Sequence, residues 1–127
     1  EEYKQMEGDP LVRSKIRQRQ RQMAAQRMME AIPTADVIIT NPTHYAIAIA
    51  YQPNEMTAPQ VVAKGRGLIA QRIKEEAEKH RITKVENREL ARALYDSCEI
   101  GQEIPAHLYP AVAEVLAFVY RLRKKTV

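Results

Sequence analysis

From His44 to Tyr51 the chain alternates strictly: Tyr45, Ile47, Ile49 and Tyr51 fall on one side, and His44, Ala46, Ala48 and Ala50 on the other. A period of two is the pattern of a strand. The large side can fill a core, while the alanine side lets another element pack close. Upstream, Val37-Ile38-Ile39 is a short β-branched run that predicts a buried strand. Gln60 to Lys64 and Ile82 to Glu86 predict a third and a fourth. Elsewhere the period lengthens to that of a helix. One helix is predicted after Gly65-Arg66-Gly67, with Leu68, Ile69, Ile73 and Ala77 inward. Asn87 is placed to cap a second, bearing Leu90, Leu94 and Cys98. A last helix, from Pro105 or Ala106, carries the stripe Leu108, Val112, Val115, Leu116 and Val119. Strands separated by helices predict an α/β layered domain with a mixed sheet.

The N-terminal third follows a different rule. Gly8-Asp9-Pro10 reads as a break and a helix start, with Asp9 as cap and Pro10 in the first turn. The helix is expected to run to about Glu30 and stop before Pro33. Its middle, Arg17 to Gln22, is polar all round, so little core can support it. We therefore expect a basic connector over residues 1–32 that projects from a folded unit over residues 33–127. The chain opens on charged residues without a Met, which fits a piece cut from a longer protein.

Composition narrows the picture. With 127 residues and 45% hydrophobic content, one domain with a real core is expected. A single cysteine, Cys98, excludes an intramolecular disulfide, and at helical spacing from Leu90 and Leu94 it reads as a buried structural thiol. No apolar stretch is long enough to span a bilayer; the best, Tyr109 to Leu122, is interrupted by Glu114 and Arg121. Net charge is only +4, but Arg13, Lys15, Arg17, Arg19, Arg21 and Arg27 crowd the first helix. Arg121, Arg123, Lys124 and Lys125 crowd the C-terminus. Such runs can meet nucleic acid, anionic lipid or acidic protein, or form a solvated face. A basic nucleic-acid-binding module is one reading, but no base-reading motif accompanies the charge.

Little else carries chemistry. His44, His80 and His107 lack paired-ligand spacing, so neither a metal nor a cofactor is expected. Glu75, Glu76 and Glu78 among lysines read as a solvated helix face. Gly65-Arg66-Gly67 has part of a phosphate-binding turn but lacks the third glycine and any Gly-Lys-Ser/Thr; glycines turning a strand into a helix are preferred. No hydrolase signature supports a multiple-turnover enzyme.

One tetrapeptide stands apart. Asn41-Pro42-Thr43-His44 lies between two strand-like runs. Ordinary asparagine ageing needs the next residue's N–H, and proline has none. The remaining route is attack by the Asn41 side-chain amide on its own main-chain carbonyl, which forms a succinimide and breaks the Asn41–Pro42 bond. The alternative is an inert turn in a plain scaffold, since both residues suit turns. Proline is a poor hairpin residue because it cannot take positive φ. The turn is therefore expected to be strained or a non-hairpin loop, and strain there would aid cleavage.

The tetrapeptide, preceded by Ala35-Asp36-Val37-Ile38-Ile39-Thr40, resembles that of the FlhB/YscU/SpaS proteins, export-switch components of bacterial type III secretion. The likeness continues through Pro59-Gln60-Val61-Val62-Ala63-Lys64-Gly65, Leu90-Ala91-Arg92-Ala93-Leu94-Tyr95 and Ile100-Gly101-Gln102-Glu103-Ile104-Pro105, and covers roughly Pro33 to Arg123. The Gly-Gln-Glu-Ile-Pro stretch is more like the flagellar branch than the injectisome branch. The resemblance implies a small central four-stranded sheet surrounded by helices, a membrane domain preceding the basic linker, and a place at the cytoplasmic face of the bacterial inner membrane.

It also implies roles. Asn41 is then the nucleophile and Pro42 the new N-terminus, while Thr43 and His44 shape the turn, with His44 suited to proton transfer. An Asn41 backbone held in unfavourable torsions would supply the acceleration. Scission happens once, the two pieces stay associated, and export moves from rod and hook substrates to filament-type ones. Implied partners are an export-gate membrane protein, a hook-length ruler protein and the export substrates; no nucleic acid is expected. A small apolar patch of Ala58, Pro59, Ala113 and Leu116 is the candidate substrate-docking surface, against the reading that these are ordinary core or edge residues.

Overall fold

The structure, a computed structural model, describes residues 8–42 and 44–126. Helix α1 spans Pro10–Ala31, starting where Pro10 fills the first turn and the Asp9 carboxylate accepts the Leu11 N–H at 2.9 Å. Between Leu11 and Ala24 its side chains are exposed apart from half-buried Val12. Only its last turn enters the core, through Met28, followed by Ile32 in a 3-10 turn.

Four strands follow, β1 (Val37–Asn41), β2 (Tyr45–Ala50), β3 (Gln60–Arg66) and β4 (Thr83–Glu86), interleaved with α2 (Leu68–Lys79), α3 (Arg88–Ser97) and α4 (Tyr109–Thr126). The sheet order is β3-β2-β1-β4. β1–β2 and β2–β3 are antiparallel and β1–β4 is parallel, so the sheet is mixed as expected. β1 lies inside the sheet, paired on both edges.

Strand alternation sorts the core into two faces. Val37, Ile39, Ile47, Ile49 and Val61 pack against α3 and α4 through Leu90, Leu94, Val112 and Val119. Ile38, Ala46, Ala48 and Ala63 face α2 through Ala70, Ile73 and Ala77, with Met28 and Ile32 beside them. The result is helices on both sides of one sheet. On the second face the alanines present almost no side chain, so α2 seats low. At Gly65 an added Cβ would lie 2.3 Å from Ile69 Cγ2 and 3.2 Å from the Ala70 nitrogen. That glycine is required by the close approach of α2.

Several expectations are corrected. Leu68 and Ile69, placed inward by sequence, are 80% and 43% exposed. The inward stripe is Ala70-Ile73-Ala77, at the i, i+3, i+7 spacing of one helix face. Cys98 is not in α3 but caps its C-terminus, and is buried. α4 begins at Tyr109, after a 3-10 turn over Ala106–Leu108.

The outer edge of β3 is not left open. Val61 exchanges backbone hydrogen bonds with Gln102 O and Gly101 N–H, and Ile104 N–H donates to Pro59 O. Gly101 turns this segment at φ +87°. The Ile100–Pro105 stretch therefore covers an edge that would otherwise invite foreign strands.

Candidate functional site

β1 and β2 form a hairpin after all. Asn41 pairs with Tyr45, leaving residues 42–44 as the connection. Pro42 is accommodated because the connection is longer than a two-residue turn and the Asn41 carbonyl accepts the His44 N–H at 3.0 Å. Among the described residues the only non-glycine at positive φ is Arg81, so Asn41 is not in the left-handed region. A left-handed Asn41 is thereby excluded; what the fold supplies around the bond is a fixed arrangement of hydrogen bonds. Thr43 lies outside the described residues.

The main-chain carbonyls around the bond are held. Thr40 O accepts Asn87 N–H at 2.9 Å, tying the end of β1 to the start of α3. Asn41 O accepts His44 N–H. Pro42 O accepts the Lys74 ammonium at 2.6 Å. His44 O accepts Gly67 N–H at 3.0 Å, tying the turn to the start of α2. Gly67 (φ +60°) thus joins strand to helix and spends its N–H on the hairpin. Asn41 and Pro42 are half-buried and His44 is exposed, so the bond has one face toward water.

Below the turn, the Tyr45 ring meets Tyr95 with centroids 4.9 Å apart. Lys64 Nζ lies 4.9 Å from the Tyr95 ring, donates to Tyr95 O at 2.8 Å and sits 3.5 Å from Glu99. This places a cation among the last carbonyls of α3, where the helix dipole favours it. It also ties β3 to the helix under the hairpin.

Elsewhere, His80 reaches Glu76 at 3.4 Å and His107 lies in the turn before α4. Neither is on the hairpin with His44. Among the described residues no three His, Cys, Asp or Glu side chains converge on a metal position, and no helix is long and apolar enough to cross a membrane. Lys74 was missed by sequence reading, where it merged with a charged helix face. The available signal was its place directly after buried Ile73, on the flank of the inward stripe.

The four residues of the candidate docking patch are brought together. Ala58 and Pro59, ahead of β3, and Ala113 and Leu116, on α4, line one cavity of about 350 Å³ walled by Tyr51, Tyr109 and Tyr120. Ala58 and Leu116 form its buried floor, Pro59 is half-buried, and Ala113 is exposed at the rim.

Residues 1–119 match the model of the FlhB HrpN YscU SpaS family. The chain belongs to this family. It is 59% identical over 124 residues to the flagellar biosynthetic protein FlhB of Salmonella typhimurium, covering 98% of this chain and 32% of the relative. It is 54% identical over 125 residues to the FlhB of Bacillus subtilis, covering 98% and 35%. The chain thus spans about a third of the length of these relatives. Among solved structures it is similar to the cytoplasmic domain of FlhB from Shewanella putrefaciens, with a TM-score of 0.77 and 43% identity, over 80% of this chain and 78% of that one. An EscU C-terminal domain carrying an asparagine-to-aspartate change matches with a TM-score of 0.70 and 32% identity, over 72% and 98%. The family and the α/β fold with its mixed four-stranded sheet therefore stand as expected from the sequence, and the flagellar relatives agree with the Gly-Gln-Glu-Ile-Pro reading.

Proposed function

We propose that this chain is the cytoplasmic part of a flagellar export protein that cuts itself once, between Asn41 and Pro42, and thereby switches export from rod and hook substrates to filament-type ones. The observation carrying the proposal is the geometry of that bond: it sits at the apex of a hairpin between inner strands, with its carbonyl aimed at the His44 N–H.

The reaction follows from the residues. The Asn41 side-chain nitrogen attacks the Asn41 main-chain carbon and a C–N bond forms, closing a five-membered ring. The carbonyl π electrons move onto Asn41 O, where the His44 N–H stabilises the developing charge. The electrons return, the Asn41–Pro42 bond breaks, and the proline nitrogen takes up the proton released by the attacking amide. Water then opens the succinimide. Pro42 closes the competing route because it has no N–H. His44, exposed beside the bond, is the residue suited to relay the proton. An amide is a weak nucleophile, so orientation by the fold provides much of the rate. This is one event per chain, not turnover.

The pieces stay together because β1 remains paired on both edges, with Val37, Ile38 and Ile39 fully buried. By likeness to its relatives, the protein acts at the inner face of the bacterial inner membrane, joined to a membrane domain through α1. Its partners are an export-gate membrane protein, a ruler protein and the arriving substrates. The apolar cavity at Ala58, Pro59, Ala113 and Leu116 offers those substrates a docking pocket.

Intact-mass measurement of denatured protein tests the scission. Two fragments are expected, the second beginning at Pro42, with Asn41→Ala uncut. A wild-type chain that stays whole through prolonged incubation at neutral pH sinks the proposal.

A further inference from the structure

The Lys74 side chain makes a hydrogen bond that crosses from α2 to the apex of the hairpin. Its ammonium lies 2.6 Å from Pro42 O, thirty-two residues away in sequence. Lys74 is half-buried, and among the described residues no carboxylate lies within ion-pair distance of it. A lysine on an acid-rich helix that bonds a turn carbonyl instead of a neighbouring glutamate is held there by the packing of its helix. That packing is visible. Ala46, Ala48 and Ala63 let α2 approach, Gly65 removes the Cβ that would strike Ile69, and Ile73 anchors the turn of helix from which Lys74 reaches out.

Pro42 carries the leaving nitrogen. Its ring fixes φ near −65°. Its remaining soft torsion, ψ, is set by where its carbonyl points, and that carbonyl is clamped by Lys74. On the other side of the bond, Asn41 is fixed by its pairing in β1 and by the His44 N–H. We infer that Lys74 is a positioning residue for the self-scission: it locks Pro42 so that the leaving nitrogen and the attacked carbonyl keep the alignment the ring closure needs. This rests on the scission proposed above. The clamp acts through Pro42 O, which is not a reacting atom, so Lys74 neither gives nor takes a proton in the reaction. A misplacement of about 1 Å at such a bond costs on the order of 100-fold in rate.

The test uses the whole chain made in a short cell-free pulse, with scission followed by intact mass over time. Lys74→Met keeps the stem and removes the ammonium, and is expected to slow scission about 10- to 100-fold. Lys74→Arg keeps a donor and is expected to restore most of the rate. A parallel set carries Asn41→Ala, so that folding is measured without scission. In that set Lys74→Met is expected to leave amide exchange at Ile73 and Ala77 unchanged while shifting the Pro42 carbonyl carbon resonance. Scission of Lys74→Met at the wild-type rate overturns the inference, as does slow scission accompanied by loosened exchange in α2 or not rescued by arginine. A wild-type chain that never cuts instead overturns the scission proposal itself.

Discussion

Asp36 and Arg123 close the domain from opposite ends of the sequence, with Oδ1 and Nη1 3.3 Å apart, while a second guanidinium nitrogen donates to Asp36 O at 3.2 Å. The other carboxylate oxygen, Oδ2, accepts the Tyr51 N–H at 2.7 Å. One aspartate thus ties the entry of β1, the exit of β2 and the last turns of α4. It is largely buried, its side chain 16% exposed. Asp36→Ala leaves the half-buried Tyr51 N–H without this acceptor and removes the carboxylate facing Arg123, which keeps its bond to the main-chain carbonyl of residue 36. A loss of about 1–3 kcal/mol is expected, read by urea unfolding of the uncut Asn41→Ala chain. Arg123→Ala, about half exposed, is expected to cost under about 1 kcal/mol. Equal effects from the two changes contradict the assignment of the larger share to the Tyr51 bond.

Gly65→Ala is expected to destabilise by about 1–3 kcal/mol, because the new methyl meets Ile69 Cγ2 at 2.3 Å and the α2 backbone at 3.2 Å. Ile69 is partly exposed, so trimming it sacrifices little packing. Combining Gly65→Ala with Ile69→Ala is therefore expected to recover much of the loss in the same unfolding assay. A neutral Gly65→Ala would show that α2 has room to lift.

The strand alternation was legible in the chain because it is local. Tyr45, Ile47 and Ile49 against Ala46 and Ala48 announce two faces before any partner is known. What could not be read was which elements meet. Nothing local says that β1 pairs in parallel with β4, since that pairing is decided by a crossover through α2. The same gap hid Lys74, whose partner lies across the fold. Leu68 and Ile69 misled because hydrophobicity was taken for inwardness. Gly67 at φ +60° sets where the helix starts, and that start leaves both exposed while turning smaller Ala70 and Ala77 to the sheet. The Asn-Pro turn misled in the opposite sense: a residue unsuited to a two-residue hairpin is tolerated in a longer one. The docking residues converged because Ala58 and Pro59, just ahead of edge strand β3, lie against the face of α4 that carries Ala113 and Leu116.

Cys98 is expected to be silent in the folded protein. Its Sγ is buried 3.4 Å from Glu103 O and 3.6 Å from Gln102 O. Burial is the main cause that raises its pKa, with the Lys64 charge opposing it. The folded state therefore holds the thiol proton after the unfolded chain has lost it, from about pH 8.5 upward. Stability contributed by the neutral thiol is complete below that pH and declines as pH rises toward the folded pKa. Thiol labelling at mildly alkaline pH is expected to follow unfolding, with rates that climb in denaturant. Fast labelling of the native chain at its full stoichiometry contradicts this.

The scission proposed above would change the molecularity of unfolding. In the uncut Asn41→Ala chain, unfolding yields one chain, so its midpoint is independent of protein concentration. In a wild type cut as proposed, β1 would belong to one fragment and β2, β3 and β4 to the other, with β1 paired on both edges. Unfolding then releases two chains, and refolding is an association. Raising total protein 100-fold is expected to stabilise the cut form by about 2.7 kcal/mol, by mass action alone. The measurement is a pair of urea melts at the two concentrations for each form. A concentration-independent midpoint in protein shown by mass to be fully cut would mean that the N-terminal piece, with β1, leaves without unfolding the remainder. The retained-fragment picture, and a switch built on a nicked but intact sheet, would then fail together.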